Sequence, residues 1–203
     1  MNNRVITIGR EFGSGGREIG IKLAEKLGIP FYDKELITLA AEAGGIDPKL
    51  IERNEEGAHR ISDKGRGRMS FFSFSYTPDF SDAIYLQQCK VIKDLAAKGP
   101  CVIVGRCADF VLRNEGSINV FIAASMPYKI KRKRKVAIEK ADFTDEQMER
   151  YINDVNTARS NYYNHYTNQK WGNSGTYHLC VHSDLVDIDG AVETILTYLE
   201  NVK

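Results

Sequence analysis

Three glycines in four positions, Gly13, Gly15 and Gly16 around Ser14, stand between an apolar run at 5–8 and an amphipathic stretch at 17–27. Strand, glycine-rich turn and helix in that order make a cradle for phosphate. The turn gathers backbone N–H groups, and the helix dipole adds partial positive charge at the helix N-terminus. The segment points to a nucleotide, an ordinary strand-to-helix turn being the competing reading. The phosphate-loop pattern G-x-x-x-x-G-K-[ST] asks for Lys after the last Gly. With Gly15 as that last Gly, Gly16 stands where the Lys should be, and Arg17 stands where the Mg²⁺-binding hydroxyl should be.

Other residues of chemical interest follow further along. Val102-Ile103-Val104-Gly105-Arg106 puts an Arg just past the carboxyl end of an apolar run, where open α/β sheets bind ligands. Its guanidinium fork suits phosphate oxygens, and a structural salt bridge is the alternative. Phe31-Tyr32-Asp33 ends another run in the same way. Asp33 suits two compatible roles, as acceptor for a base or sugar and as cap of a helix starting at Lys34. Lys129, Lys131, Arg132, Lys133, Arg134 and Lys135 crowd into one predicted helix. They form a lid whose cations close over a phosphoryl group, a solvated face, or an RNA-binding surface, the last disfavoured by the near-neutral net charge. Arg159 lies on the next predicted helix, after Asn153 and Asn156 and before Tyr162, Tyr163 and Tyr166. The four histidines lack metal-ligand spacing, and the four cysteines form no CxxC pair. Cys89, Cys101, Cys107 and Cys180 read as reduced core thiols of a cytoplasmic protein.

The elements that must position these residues are legible as apolar patterns. Five short runs, at 5–8, 29–32, 101–104, 119–123 and 177–181, read as buried parallel strands. Helical patterns at 17–27, 34–43, 82–98 and 188–202 separate or follow them. Alternation of strand and helix predicts a five-stranded parallel sheet flanked by helices. Residues 126–168 read as two consecutive helices, the second capped at Thr144 or Asp142. Residues 54–81 carry three glycines and the tract Phe71-Phe72-Ser73-Phe74-Ser75-Tyr76, which reads as a functional loop or an unstructured one.

The 203 residues suit one domain, 1–203, and the 42% apolar content suffices for a core. A formal charge of +1 gives no overall pull toward nucleic acid or membrane. No apolar run approaches a membrane span, and the first residues lack the apolar core of a signal peptide.

Taken in order, these segments resemble the cytidylate kinase-like proteins, a branch of the P-loop nucleoside monophosphate kinases. The resemblance runs from Gly9-Arg10-Glu11-Phe12-Gly13-Ser14-Gly15-Gly16 through Phe31-Tyr32-Asp33-Lys34-Glu35-Leu36 and Val102-Ile103-Val104-Gly105-Arg106-Cys107-Ala108-Asp109. It ends around Trp171-Gly172 and Tyr177-His178-Leu179. It implies a P-loop NTPase-type fold with a helical lid at 126–168 and a mobile monophosphate-binding insertion at 54–81. It further implies ATP and Mg²⁺ as cofactors and a nucleoside monophosphate, CMP or dCMP, as acceptor. Gly13, Ser14, Gly15, Gly16 and Arg17 would hold the donor phosphates, with Ser14 toward the metal. Asp33 and Arg106 would hold the acceptor, and Arg17, Arg132, Arg134 and Arg159 would serve the transfer. The chain departs from cytidylate kinases at Gly16 for Lys, at Glu18 for Thr, at Cys107 for Asp, and at Asn153 and Asn156 for two Asp. Arg17 or Arg10 could substitute for the lysine. The departures keep two other readings open: a nucleotide-binding module without turnover, and a kinase of a non-nucleotide small molecule.

Overall fold

The computed structural model describes residues 4–33, 78–136 and 142–202. The helix expected at 34–43 and most of the 54–81 segment, with its aromatic tract, lie outside these residues. Five strands form one sheet in the order β2-β3-β1-β4-β5, with every neighbouring pair parallel. In chain order they are β1 (Ile6–Arg10), β2 (Phe31–Tyr32), β3 (Val102–Val104), β4 (Ile118–Ala123) and β5 (Leu179–His182). The helices are α1 (Gly16–Leu27), α2 (Pro78–Ala97), the short α3 (Ala108–Val111), α4 (Met126–Val136), α5 (Asp145–Thr167) and α6 (Ser183–Asn201). This is the architecture the alternation of patterns predicts.

Strand residues alternate between two cores. Ile6, Ile8, Val102, Val104, Val120, Ile122 and Val181 face Ile19 and Leu23 of α1 and Val192 and Ile195 of α6. Ile103, beside Cys101, faces Ile92 and Leu95 of α2 and Leu112 beyond α3. Both faces of the central strands are therefore dry, so these strands read as unbroken apolar runs. β5 is different. It lies at the sheet edge, and its Cys180 and His182 are exposed. Cys180 is thus not the core thiol expected, whereas Cys101 and Cys107 are buried and Cys89 half-buried. β5 also starts at Leu179 rather than at Tyr177, and β2 is shorter than the expected 29–32 run.

Helix ends follow local chemistry. Thr144 caps α5 with a full capping box: its hydroxyl accepts from the Gln147 N–H, and the Gln147 side chain accepts from the Thr144 N–H. α6 opens with one turn and breaks at Asp187 (φ 54°, ψ −171°). The Asp187 carboxylate accepts from the Gly190 N–H at 2.8 Å, so the long apolar part restarts where the sequence pattern starts, at Ile188.

Candidate functional site

The glycine loop leaves the carboxyl end of β1 and enters α1. Gly13 (φ 87°) and Gly15 (φ 84°) take left-handed conformations that a side chain would strain. Gly15 is the N-cap of α1, and no side chain caps this end. The helix N-terminus therefore offers its backbone donors and dipole to whatever lies against the loop. The loop is held from beneath. Ser14 is fully buried, and its hydroxyl donates to the Glu11 carbonyl at 2.9 Å. The Ser183 hydroxyl donates to the Ser14 carbonyl at 2.6 Å. Ser14, expected at the metal, braces the loop here.

Around this loop stands a run of cations. Arg17, in the first turn of α1, donates from Nε to Asp33 at 2.8 Å, and Arg10 lies 3.7 Å from the other oxygen of the same carboxylate. Asp33 is buried at the end of β2, and Arg106 follows β3 in a left-handed conformation (φ 58°). Arg159, from α5, donates to the Arg10 carbonyl at 3.1 Å. Lys133, from α4, puts its amine 3.7 Å from the ring centroid of Phe12, and Arg159 stands 5.4 Å from the same ring. Arg132 pairs with Glu18 of α1. The structure thus brings together Arg10, Arg17, Asp33, Arg106, Arg132, Lys133 and Arg159. It does not bring Arg134 to them: that side chain turns outward to Asp145 and the Phe143 carbonyl at the start of α5. Asp33, which the sequence offers as a helix cap, here carries the paired arginines; the capped helix itself falls outside the described residues.

The cations disfavour one another. Burial first, and neighbouring arginines second, pull Arg159 down to about 9 and Lys133 to about 8. Arg10 falls to about 10 through burial, opposed by Asp33, and burial also lowers Arg106. Such a group gains from an anion placed among it, and a polyphosphate supplies several charges at once.

Two anchoring groups escape the sequence. Glu11 accepts from the Ala124 N–H at 3.1 Å and from the buried Lys129 at 3.0 Å, tying α4 to the loop. The basic run is therefore divided: Lys129 is structural, Arg132 and Lys133 face the loop, and Arg134 faces the start of α5. Asn156, at one of the Asp-to-Asn positions, accepts from the Phe12 N–H at 2.7 Å and fixes the loop to α5. Contacts between residues more than a hundred positions apart leave no periodic signal in a single sequence. A separate cavity of about 410 Å³ opens beyond Glu11, between Phe121, Trp171 and His182. Among the described residues there is no cluster of three or more metal-ligating side chains, and no helix is long and apolar enough to cross a membrane.

Residues 5–185 match the cytidylate kinase-like family. No curated protein matches the chain. An uncharacterized protein from Eubacterium ventriosum is 28% identical and superposes with a TM-score of 0.69, with 98% of this chain and 99% of that chain covered. Two kinases share the fold at lower identity. Shikimate kinase from Bacteroides thetaiotaomicron is 15% identical, with a TM-score of 0.58 over 98% of this chain and 99% of its own. Deoxyadenosine kinase from M. mycoides, with products dCMP and a flexible dCDP bound, is also 15% identical, with a TM-score of 0.52 over 97% and 99%. By its sequence the chain belongs to the cytidylate kinase-like family, and its five-stranded parallel sheet flanked by helices is of the P-loop NTPase type.

Proposed function

We propose that the protein transfers the γ-phosphoryl group of ATP, with Mg²⁺, to a nucleoside monophosphate, CMP or dCMP first among them. One observation carries the reading. The uncapped helix N-terminus behind Gly13 and Gly15 adjoins a cationic set that continues to Asp33 and Arg106, at the ends of neighbouring strands. A donor held at the loop and an acceptor held at Asp33 and Arg106 would meet among those cations.

The loop fits a triphosphate by its positive-φ glycines and its free helix end. Mg²⁺ would neutralise phosphate charge and align donor and acceptor oxygens, taking most ligands from phosphate and water. Ser14 could join them only by turning its hydroxyl from the Glu11 carbonyl. The backbone of Gly13 to Gly16 would bind the donor, and Asp33 and Arg106 would orient the acceptor. Arg17, paired with Asp33, would stand between the two. Arg132 and Arg159 would surround the moving phosphoryl group and keep water from it, with Arg134 stiffening the lid. The work of these residues is positioning and charge stabilisation, without a phosphoenzyme. The free thiols suit a cytoplasmic setting.

The test is to mix the protein with ATP, Mg²⁺ and each nucleoside monophosphate, and to follow ADP with the new diphosphate. CDP should appear in step with ADP. Arg106→Ala should raise the acceptor KM at least about tenfold with the fold intact, a charged hydrogen bond being worth about 1.5–3 kcal/mol. ATP binding without turnover on any monophosphate would select the binding module, which the glycine at position 16 favours. Turnover with other metabolites only would change the acceptor.

A further inference from the structure

We infer that Arg10 takes the place of the missing phosphate-loop lysine, reaching the transferred phosphoryl group from the end of β1 instead of from the start of α1. The inference rests on the proposed phosphoryl transfer and deepens it.

It starts from the reason Gly16 is a glycine. Its backbone is not in the left-handed region, unlike Gly13 and Gly15, so conformation does not require it. Space does. A Cβ at Gly16 would lie 2.5 Å from Cβ of Arg10, 3.0 Å from its Cγ and 3.4 Å from Ile122 Cβ. The obstructing atoms are the root of the Arg10 side chain and a core residue, neither of which can swing away as a flexible tip would. A lysine at position 16 and Arg10 on its present course are therefore mutually exclusive.

From that root the Arg10 side chain extends to Gly105, whose left-handed backbone (φ 78°) already calls for glycine and whose missing Cβ leaves room for the guanidinium tip. Along the way it is held, not loose. Its side chain is 21% exposed, its Nη2 lies 3.7 Å from Asp33, and its carbonyl accepts from Arg159. The guanidinium accordingly bridges from the donor loop to the strand ends where Asp33 and Arg106 stand. Arg17, the other substitute, is half exposed and directs its Nε to Asp33.

The chemistry asks for a cation that stays charged. Even lowered to about 10 by burial, Arg10 is protonated at neutral pH. In the transfer an oxygen of the acceptor monophosphate attacks the γ-phosphorus, and the bond from that phosphorus to the β–γ bridging oxygen breaks. The electron pair leaves with ADP, and the new phosphoanhydride completes the diphosphate. Arg10 would neutralise equatorial oxygen charge through a two-pronged fork, where the usual lysine offers a point charge.

The experiment compares wild type with Arg10→Met, Arg10→Lys, Gly16→Lys and the double variant Arg10→Gly/Gly16→Lys. Two readouts are used: kcat and KM with the best monophosphate, and ATP binding by calorimetry without acceptor, after circular dichroism confirms folding. Arg10→Met should lower kcat about 100-fold or more, the loss typical of removing one transition-state donor, with a smaller change in acceptor KM. Arg10→Lys should recover at least tenfold of that. Gly16→Lys alone should lower both melting temperature and activity, and deleting the Arg10 side chain beside it should restore both. Arg10→Met with kcat within threefold of wild type would overturn the inference, as would Gly16→Lys tolerated beside Arg10. If wild type forms no ADP with any monophosphate, the proposed function fails, and Arg10 is judged on ATP alone: a tenfold weaker Kd in Arg10→Met keeps it at the donor phosphates, and an unchanged Kd removes it.

Discussion

Lys133 is the residue whose surroundings make the sharpest demand. Its amine lies against the Phe12 ring, half-buried, with Arg159 and Arg132 as charged neighbours, and its pKa is drawn down to about 8. Without ligand at pH 8, about half the molecules carry it neutral. A polyphosphate placed among these cations favours the charged form, so ATP binding at pH 8 should take up about half a proton from the buffer. Calorimetry in two buffers of different ionisation heat measures this uptake. The share due to Lys133, read as the difference between wild type and Lys133→Met, should be about half a proton at pH 8 and near zero at pH 6, where Lys133 is already charged and only the ATP phosphate still titrates. ATP affinity should accordingly weaken as pH rises past 8. Stability of the unliganded protein moves the other way: between about pH 8 and the ordinary lysine range near 10.5 the unfolded chain binds more protons, so this group's contribution to stability rises with pH. None of this was visible in the sequence, where Lys133 is one of six clustered cations. The placement of Asp33 and Arg106 at the ends of apolar runs marked them as site candidates, and the family resemblance added the roles expected of Arg132, Arg134 and Arg159. It could not supply the partners that sort Lys129 from Lys133, because those partners, Glu11 and Phe12, lie on the loop at the other end of the chain.

At the scale of elements, α5 reaches well beyond the glycine loop. Its far end plugs the region behind Arg106, where Tyr163 donates to the buried Asp109 carboxylate at 2.6 Å and Tyr162 donates to the buried Gln88 at 2.9 Å. Tyr85 stacks on Tyr166 beside them, with ring centroids 4.0 Å apart. Burial already raises Asp109 above the usual carboxylate range. Tyr163→Phe removes the hydroxyl that satisfies it and should cost about 1.5–3 kcal/mol, read as a lower urea midpoint at unchanged slope. An unchanged midpoint would mean that Asp109 finds another donor. The aromatic stripe of α5 was legible as helical spacing, but its use was not, since Asp109 and Gln88 carry no mark of burial in sequence. Strands and helices whose two faces are both dry, such as β3 and β4, were readable to within one residue. The edge strand β5 was not, because solvent on one side allows Cys180 and His182 to alternate with Val181.

Across the whole molecule, α4 and α5 are each tied to the glycine loop and turn cations toward it. Lys129 holds the start of α4 to Glu11, the Asn156 contact holds α5 to Phe12, and Arg132, Lys133 and Arg159 point back to the loop between them. On the proposed phosphoryl transfer both substrates would be gripped by overlapping groups, since Arg10 and Arg17 both pair with Asp33. This geometry predicts coupling. A ligand at a hundred times its Kd stabilises by about 2.7 kcal/mol, and for a chain of this size each kcal/mol raises Tm by about 2–4 °C, so ATP with Mg²⁺ alone should raise it roughly 5–10 °C. Two independent sites would give additive shifts for ATP and CMP. Shared cations should make the shifts non-additive, and an inhibitor joining two nucleosides through a phosphate chain should stabilise more than the sum of its halves, since it neutralises the whole set without two like-charged ends competing for Arg10. Thermal melts with ATP, CMP, both and the joined analogue decide it: strict additivity would mean that the cations divide into two separate sites, and that the ion pairs now meeting at Asp33 come apart when either substrate binds.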